Sequence, residues 1–457
     1  MVWLTLAANR RCLVDPWLGA LSDGVGVHSS GELWMRREQL RALTAYNLRE
    51  EINATFYEQL AAALTGHVGT GPNDTGQLQL ESDGLYHVHG CMSPEYHCDA
   101  PYEALACKPS VDCNWAISQF RWGIDTIVDL AQQLNRTGDT RLRWWKELQG
   151  HMTWYAFDTE TGFRLSADCR YLCPHRHFSH LLQVFDIETL QYGSGNASMD
   201  ALIHQSLDHW YGITCNESNA FNEQCRGFTL CGVAGMNAVS DRPAAAVGNL
   251  TQLLSTILTP NGWYGEYVFM RETNMFSPVS ESMYCSAGVL HTMLAQTSPD
   301  GRVHVCRGVP SAAEAARHGL DPGWANVTFH QLRMPQGLLV SAARRNGLTG
   351  FVRIAASEAA APGRSNYTVL VYDERWAAGS ATDVLRHAPA SVAVSQLAGS
   401  ARYARFEVAL ARGEHVVLYL APGGVDPNAF VIDMAPSEPA RENSFGFTTK
   451  KRLPKLH

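Results

Sequence analysis

Hydrophobic residues recur at helical spacing through much of the first 300 residues of the chain. In the two longest stretches of this kind, residues 36–64 and 115–135, apolar side chains return every three or four positions, which predicts amphipathic helices. Irregular segments between the stretches hold many of the Gly, Cys and His residues. This alternation predicts an (α/α) toroid, in which one end of the helix ring carries the functional loops, rather than a four-helix bundle with short connections. Shorter helical stretches cover 141–148, 199–210, 244–257 and 286–295.

The pattern changes after about residue 300. Short segments rich in β-branched and aromatic residues follow one another, and turn sequences such as Arg-Asn-Gly at 345–347 separate them. These segments cover 327–334, 338–343, 351–356, 367–372, 390–397, 402–409 and 415–420. We therefore predict a mostly α fold in which an (α/α)-toroid domain at 1–300 is followed by an antiparallel β-sandwich domain at 301–435 and a disordered tail at 436–457.

The composition is that of a globular protein, with 46% hydrophobic and 18% charged residues. A length of 457 residues exceeds what one core usually supports, which agrees with two or three domains. The net charge is −8 and the basic residues are scattered, which argues against nucleic acid as the main partner. Because no apolar run reaches transmembrane length, we expect no membrane span.

Cysteines and glycosylation sequons indicate the secretory pathway or an extracellular location. The 12 cysteines are an even number, as expected where disulfides form. Residues 1–12 do not make a convincing signal peptide, so we expect the chain to be a fragment or a truncated gene model. The Asn-x-Ser/Thr sequons, which predict a glycoprotein, begin at Asn53, Asn73, Asn135, Asn196, Asn216, Asn249, Asn326 and Asn366.

Several cysteines lie close to one another in the sequence. Cys169 and Cys173 lie close enough in sequence to bridge, and so do Cys91 and Cys98. Structural disulfides that hold loops are a better interpretation than catalytic thiols, and the connectivity stays open. A further cluster consists of Cys215, Cys225 and Cys231.

One carboxyl group, Glu95, is held in an unusual sequence context. Pro94 restricts the preceding Ser93 to an extended backbone, which limits the freedom of the chain on the way to Glu95. If the aromatic residues nearby exclude water, the pKa of Glu95 rises and the side chain can donate a proton at neutral pH. Judged on Ser-Pro-Glu alone, a surface turn residue paired with a cation is the better interpretation.

Residues 175–181, here called the His motif, place three imidazoles and a guanidinium within six residues, as His175-Arg176-His177-Phe178-Ser179-His180. Three interpretations stay open. The histidines bind zinc, with His87 and His89 as further ligands. Alternatively, the imidazoles and the guanidinium hydrogen-bond sugar hydroxyls and hold a general base in place. In the third interpretation they are buried structural histidines.

Four segments in sequence order carry a resemblance to one enzyme family. Together with residues 325–356, they resemble glycoside hydrolase family 95, which contains inverting α-L-fucosidases and α-L-galactosidases, across about residues 35–420. The His motif is the most specific of the four. The segments are Cys91-Met92-Ser93-Pro94-Glu95-Tyr96, Asp112-Cys113-Asn114-Trp115 running into Phe120-Arg121-Trp122, the His motif, and Gly227-Phe228-Thr229 with Leu258-Thr259-Pro260-Asn261 downstream.

The resemblance implies roles for two carboxylates. Glu95 lies where the family has its general acid, and residues 91–96 are called the acid segment below. Glu281 lies where the family has its general base, but that base is an Asp in a glycine-rich stretch, and the glycines are missing here. The extra methylene displaces the base by about 1 Å, which costs on the order of 100-fold in rate. In the alternative interpretation, Glu281 is a first-turn helix residue favoured by the helix dipole.

A second departure from the family concerns the Asn-x-Asn motif that orients the attacking water. No equivalent exists among the 94 residues before Glu95. The resemblance therefore predicts an N-terminally truncated or divergent member without the family's N-terminal β-domain. In this interpretation the toroid is an incomplete six-hairpin barrel, and the activity of the chain depends on what the missing part supplies.

These observations predict an α-L-fucosidase-like glycosidase that removes terminal L-fucosyl or L-galactosyl residues from glycans with inversion. Glu95 protonates the glycosidic oxygen and Glu281 activates water, so their carboxyl groups should lie roughly 6.5–9.5 Å apart. We expect a glycan as partner and neither a cofactor nor a metal. The alternatives are a non-catalytic carbohydrate-binding descendant of the family and a metalloprotein that uses the His motif. Substrate-binding residues are predicted to be His175, Arg176, His177 and His180.

Overall fold

A computed structural model describes most of the chain between residues 51 and 420 and a few positions before it. The described residues are 33, 36, 37, 39, 40, 43, 44, 51–69, 71, 76–91, 93, 103–105, 107, 111–215, 225, 227–256, 264–270, 275–279, 281–320, 322–360, 363–379 and 384–420. The predicted tail at 436–457 and the side chains of Glu95 and Glu281 lie outside this set.

Helices dominate the described residues up to position 294. A π-helical turn, Ile52–Phe56, continues directly into helix α1, Tyr57–Val68, which ends at Gly69 with a φ of 78°. No described helix is both long and apolar enough to cross a membrane. The later helices are α2 (Asn114–Gln133), α3 (Leu142–His151), α4 (Ala197–Thr214), α5 (Gly227–Val239), α6 (Pro243–Thr256), α7 (Glu281–Leu294), α8 (Ala312–Arg317) and α9 (Glu374–Ala378).

The helical spacing of hydrophobic residues predicted α2, α3, α4 and α6 close to their observed bounds. The predicted stretch 115–135 corresponds to α2, whose buried face includes Ile117, Phe120, Ile124 and Ile127. The predicted stretch at 286–295 corresponds to α7, but this helix begins five residues earlier, at Glu281. The period missed that first turn because its sequence, Glu-Ser-Met-Tyr, has no amphipathic repeat.

The described strands are β1 (Leu78–Leu80), β2 (Tyr86–Val88), β3 (Phe157–Asp158), β4 (Gly162–Phe163), β5 (Tyr264–Met270), β6 (Met275–Val279), β7 (Ala295–Thr297), β8 (Val303–Val305), β9 (Val327–Arg333), β10 (Leu338–Arg345), β11 (Leu348–Ala356), β12 (Arg364–Tyr372), β13 (Val384–His387), β14 (Ala393–Leu397), β15 (Tyr403–Ala411) and β16 (His415–Leu420). The C-terminal part of the described chain forms two five-stranded sheets, with orders β13-β16-β11-β10-β9 and β14-β15-β12-β8-β7. Nearly all neighbours are antiparallel, as predicted, but β12 and β8 pair in parallel. Three further two-stranded sheets lie before residue 280.

The two five-stranded sheets share one hydrophobic core. Val340 and Ile354 enter it from one sheet, and Val369 and Phe406 enter it from the other. Trp376 of α9 is fully buried there, and its ring meets that of Phe406 edge to face at 6.0 Å between centroids. Alternating burial along β15 shows why this segment reads as a strand, since every second side chain faces the core.

The chain separates into two compact units. The first contains Met1–Leu43 and Leu48–Asn222, and the second contains Thr44–Asn47 and Glu223–His457. Helices α5, α6 and α7 therefore belong to the same unit as the two five-stranded sheets. The toroid and the domain limits at 300 and 435 stay predictions; helices followed by mainly antiparallel sheets are what the described chain shows.

Candidate functional site

A disulfide between Cys91 and Cys113 closes the chain segment that contains the Ser-Pro-Glu sequence. The predicted bridge from Cys91 to Cys98 is therefore wrong. Cys98 is nearer in sequence, but the chain returns to β2 at Asp112, whose backbone N–H donates to the carbonyl of Val88 at 2.8 Å. Because Cys113 follows Asp112 directly, its sulfur meets that of Cys91.

A second disulfide, Cys107–Cys169, joins the same closed segment to the chain just before the His motif. The predicted bridge from Cys169 to Cys173 is also wrong, and Cys173 is disulfide-bonded elsewhere. His175 comes six residues after Cys169 in the sequence. These cysteines hold loops, and the two covalent links tie the surroundings of the acid segment to those of the His motif.

A hydrogen bond joins the two motifs directly. The hydroxyl oxygens of Ser93, in the acid segment, and Ser179, in the His motif, lie 2.5 Å apart. Both side chains are buried, at 1% and 6% exposure. The His motif and the segment that carries the predicted acid therefore belong to one local structure.

The backbone of the His motif is fixed at His175, which is 1% exposed. Its carbonyl oxygen accepts hydrogen bonds from the Tyr171 hydroxyl at 2.8 Å, the Trp210 indole at 3.1 Å and the Thr214 hydroxyl at 3.2 Å. Its Nδ1 accepts from the backbone N–H of His177 at 3.1 Å. Because Trp210 and Thr214 belong to α4, these bonds attach the motif to that helix.

His180 is a buried, uncharged histidine. Its side chain is 1% exposed, and its ring stacks on that of Tyr171 with centroids 4.5 Å apart. Burial, assisted by His209 and His175, lowers the pKa of His180 to about 3. His175 and His180 therefore fit the interpretation as buried structural histidines, whereas Arg176 and His177 are half-buried and can reach a ligand. The predicted substrate contacts of all four stay a prediction.

The buried state of His180 predicts that the protein loses stability in mild acid. The unfolded chain takes up a proton near pH 6.5, but the folded chain does not until about pH 3, so protons favour unfolding throughout that window. We expect the free energy of unfolding to fall by up to about 1.4 kcal/mol per pH unit below 6.5 on account of this residue. Urea titrations at several pH values measure that slope. The slope of unfolding free energy against pH should be less steep for the variant His180→Phe. An unchanged slope would contradict the description of His180 as a buried, uncharged histidine.

His87 lies between two carboxylates, a contact that the sequence did not reveal. Its Nδ1 is 2.6 Å from Asp112 Oδ2, and its Nε2 is 3.1 Å from Asp83 Oδ2. Burial lowers the pKa of His87, but the hydrogen bonds to Asp112 and Asp83 outweigh that effect and raise it. His89 in turn meets Glu81 at 2.8 Å. Both histidines thus contact carboxylates, and the described residues contain no group of His, Cys, Asp and Glu suited to a metal.

Asp112 contacts His87 and lies next to Cys113, whose disulfide partner Cys91 begins the acid segment. Its φ of 54° is in the left-handed region, which non-glycine residues rarely occupy. Its Oδ1 accepts a hydrogen bond from the backbone N–H of Val88 at 2.8 Å. Both the side chain and the backbone N–H of Asp112 are therefore hydrogen-bonded to the last residue of β2. No sequence signal links Asp112 to His87, because their contact depends on the return of the chain to β2.

Asn114, the first residue of α2, lies in one of the four segments that carry the resemblance, but its contacts were not predicted from the sequence. Its Nδ2 donates to the carbonyls of Ala156 at 2.9 Å and Arg164 at 2.7 Å, and its Oδ1 accepts from the Ala156 N–H at 2.8 Å. The side chain is fully buried. It therefore satisfies three backbone groups and attaches the β3–β4 hairpin to the helix that follows Cys113.

The second predicted carboxylate, Glu281, is the first residue of α7. This position matches the first-turn interpretation. Cys285, one turn further along α7, forms a disulfide with Cys231 of α5, so Cys231 pairs outside the sequence cluster that it forms with Cys215 and Cys225. The separation of 6.5–9.5 Å between the two carboxyl groups stays a prediction.

No family model matches the chain, and no curated protein matches it. Among solved structures, a protein named as a kojibiose phosphorylase from the human microbiome aligns with 75% of the chain at 11% identity and a TM-score of 0.43. An α-L-rhamnosidase from Streptomyces avermitilis, solved with L-rhamnose, aligns with 80% at 12% identity and a TM-score of 0.38. The chain spans 47% and 31% of these two proteins.

A further structure similar to the chain is a family GH127 β-L-arabinofuranosidase from Geobacillus stearothermophilus T6, which aligns with 92% of the chain and 80% of its own length at 11% identity and a TM-score of 0.28. All three solved proteins carry the names of enzymes that act on sugars. With every TM-score below 0.5, no statement about the reaction of this chain follows from them.

Proposed function

We propose that the chain is a glycoside hydrolase that removes a terminal L-fucosyl or L-galactosyl residue from a glycan with inversion. The hydrogen bond between Ser93 and Ser179 carries this proposal, because it joins the acid segment to the His motif. The disulfides on either side, Cys91–Cys113 and Cys107–Cys169, support it by holding both segments in place. A site that has to protonate a leaving group needs such fixed positioning.

In the proposed mechanism, Glu95 gives its proton to the glycosidic oxygen as the bond to the sugar breaks. This role requires a carboxyl group that is still protonated near neutral pH. A cation close by would lower the pKa of that carboxyl; His180 of the neighbouring motif is neutral, so the guanidinium of Arg176 is the permanent cation of that motif. The half-buried Arg176 and His177 are proposed to hydrogen-bond the sugar hydroxyls.

An inverting hydrolase also needs a carboxylate that activates water on the opposite face of the sugar. We propose Glu281 for this role on the strength of its place in the sequence. With the extra methylene of Glu in place of Asp, the rate should be low compared with that of an enzyme that has the shorter base. Glu281→Asp is therefore expected to raise kcat, and a fall in kcat would favour the first-turn structural role instead.

The product anomer tests the proposal. The full-length chain, secreted from a eukaryotic host, would be incubated with aryl α-L-fucoside and aryl α-L-galactoside while NMR follows the first-formed sugar. Inversion predicts that the β anomer appears first and equilibrates afterwards. An α anomer formed first would overturn the mechanism.

The departures around Glu281 favour one alternative, a carbohydrate-binding protein without catalysis. In that case a glycan array would show binding of fucosylated or L-galactosylated glycans, and neither aryl glycoside would be hydrolysed. Hydrolysis of a fucosylated or L-galactosylated glycan at any rate above that of a Glu95→Gln variant would exclude this alternative.

The contact between Ser93 and Ser179 predicts energetic coupling. Removing either hydroxyl leaves the other buried without its partner, which costs about 1–3 kcal/mol of unfolding free energy. The double variant Ser93→Ala/Ser179→Ala should cost clearly less than the sum of the single variants. Chemical denaturation of the four proteins measures this coupling.

A matched control for this cycle is Ser118, which is also fully buried but donates to the Trp115 carbonyl within its own helix, at 2.8 Å. Combining Ser118→Ala with Ser93→Ala should give additive costs within about 0.5 kcal/mol. If the stability costs of Ser93→Ala and Ser179→Ala simply added in the double variant, the two motifs would not be coupled. That result would remove the main support for the proposed function.

A further inference from the structure

The sequons of the chain differ sharply in their surroundings. Among the sequons that begin at described residues, the most enclosed is Asn249 in α6, whose side chain is 9% exposed; Asn73 and Asn216 lie outside those residues. Its Oδ1 accepts a hydrogen bond from Asn237 Nδ2 of α5 at 3.2 Å. The neighbouring Leu250 is also buried, so this stretch of α6 packs against the interior. A glycan on Asn249 would have to separate α6 from α5.

Asn135 has the opposite surroundings. It follows the C-terminal end of α2 with a φ of 57°, and its backbone N–H donates to the carbonyl of Gln132 at 3.1 Å. Asparagine tolerates this left-handed conformation better than most residues, so it can end a helix as glycine does. Its side chain is exposed, and so is that of Thr137, the hydroxyl residue of the sequon.

Asn196 is exposed at the other kind of helix end. It is the N-cap of α4, and its Oδ1 accepts from the backbone N–H of Met199 at 3.0 Å. An N-linked glycan is attached through Nδ2, so the capping oxygen keeps its hydrogen bond after modification. The sequon hydroxyl residue, Ser198, is exposed as well.

Three other exposed sequons have less favourable settings. Asn53 lies within a helical turn and accepts from Arg136 at 2.9 Å, and Asn366 lies within β12. Asn326 accepts from the backbone of Asn346 in a neighbouring loop at 2.9 Å. At Asn135 and Asn196, the side chain is exposed, lies at a turn or helix end and has no hydrogen bond to another loop within the described part of the chain.

We propose that Asn135 and Asn196 carry N-linked glycans in the secreted protein and that Asn249 stays unmodified although it has a sequon. The donor is a lipid-linked oligosaccharide diphosphate of the secretory pathway. Asn Nδ2 forms a bond to the anomeric carbon, the bond from that carbon to the diphosphate oxygen breaks, and Nδ2 loses one proton. The inference does not depend on the proposed reaction.

The folded structure explains why the buried sequon stays free. Transfer to Asn249 during synthesis would block the packing of α6 on α5, and the modified molecules would fail to fold and would be retained. The secreted population should therefore contain only chains without a glycan at Asn249. Glycans at Asn135 and Asn196 disturb no packing contact of the described residues, because both side chains point to solvent.

Site mapping on the secreted full-length chain tests the proposal. Enzymatic release of N-glycans in heavy-oxygen water converts each occupied Asn to a labelled Asp, which peptide mass spectrometry identifies. We expect label at 135 and 196 and none at 249. Label at 249 in disulfide-bonded, secreted protein would overturn the proposal, and so would its absence at either 135 or 196.

Matched sequon variants give an independent measurement. Thr137→Ala and Ser198→Ala should each increase gel mobility by the mass of one glycan, whereas Thr137→Ser and Ser198→Thr keep the sequon and should leave the mobility unchanged. Thr251→Ala removes the sequon of Asn249 and should also change nothing. A mobility change in Thr251→Ala, or none in the first two variants, would contradict the proposed pattern.

Discussion

Replacing Glu95 with glutamine is expected to reduce kcat by about 10²–10⁴-fold on a glycan substrate, because the amide cannot protonate the leaving oxygen. The size of the loss should depend on the leaving group. A fucosyl-galactose linkage leaves as a poor alkoxide and needs the proton fully. An activated aryl fucoside leaves as a stabilised phenolate and needs it little, so it should retain much more of its rate.

Comparison of kcat on both substrates separates an acid from a residue with another role. A similar loss on both would indicate damage to the pocket, and an unchanged kcat on the glycan would exclude Glu95 as the acid. Glu103→Gln is the matched control, since it makes the same chemical change within the loop closed by Cys91 and Cys113. Circular dichroism of all the variants checks that the fold is kept.

Replacing Asn114 with alanine is expected to lower the free energy of unfolding by about 2–4 kcal/mol, which is large for one substitution. The change leaves the carbonyl of Arg164 and the N–H group of Ala156 without the partner that Asn114 supplies, whereas the carbonyl of Ala156 keeps a hydrogen bond from the Arg164 N–H at 2.9 Å. Each unsatisfied group costs roughly 1–3 kcal/mol, and relaxation of the β3–β4 hairpin recovers part of the sum. Urea unfolding monitored by tryptophan fluorescence measures the effect.

Two further variants sharpen this test. Asn114→Asp keeps the acceptor to Ala156 but points a carboxylate oxygen at two carbonyls, so it should be at least as unstable as the alanine variant at neutral pH. Protonation of that buried carboxyl restores one donor, and its destabilisation should therefore shrink as the pH falls. Gln132→Ala, at an exposed position of the same helix, should change stability by less than about 0.5 kcal/mol. A loss below 1 kcal/mol in Asn114→Ala would contradict the structural role.

The sequence was sufficient to predict the helices and strands that bury one face. The apolar repeat of α2 and the alternation along β15 gave both elements close to their observed limits. Helix α5 escaped the periodic analysis because 12 of its 13 residues are buried, and a helix that is apolar all round has no amphipathic signal. Strands β7 and β8, at three residues each, are too short for an alternation to show.

The candidate site was predictable only in part. The sequence pointed to the acid segment and the His motif, and their contact through Ser93 and Ser179 agrees with a common site. The pairing of Cys91 with Cys113 and of His87 with Asp112 depends on where the chain returns to β2. Local spacing carries no information about such a return. The roles of Glu95 and Glu281 stay predictions that kinetics has to decide.

The overlap of two disulfides has a consequence for production of the protein. Cys91–Cys113 spans 22 residues and Cys107–Cys169 spans 62, so the two covalent loops overlap in the sequence between Cys107 and Cys113. Closing loops of these lengths lowers the conformational entropy of the unfolded chain, which stabilises the folded state by about 3 and 4 kcal/mol, respectively. A bacterial cytoplasm, whose thiol buffer keeps both pairs reduced, would forfeit that stabilisation and yield material unsuitable for assay. Recombinant work should begin in a host that exports the chain through an oxidising compartment equipped with disulfide isomerase.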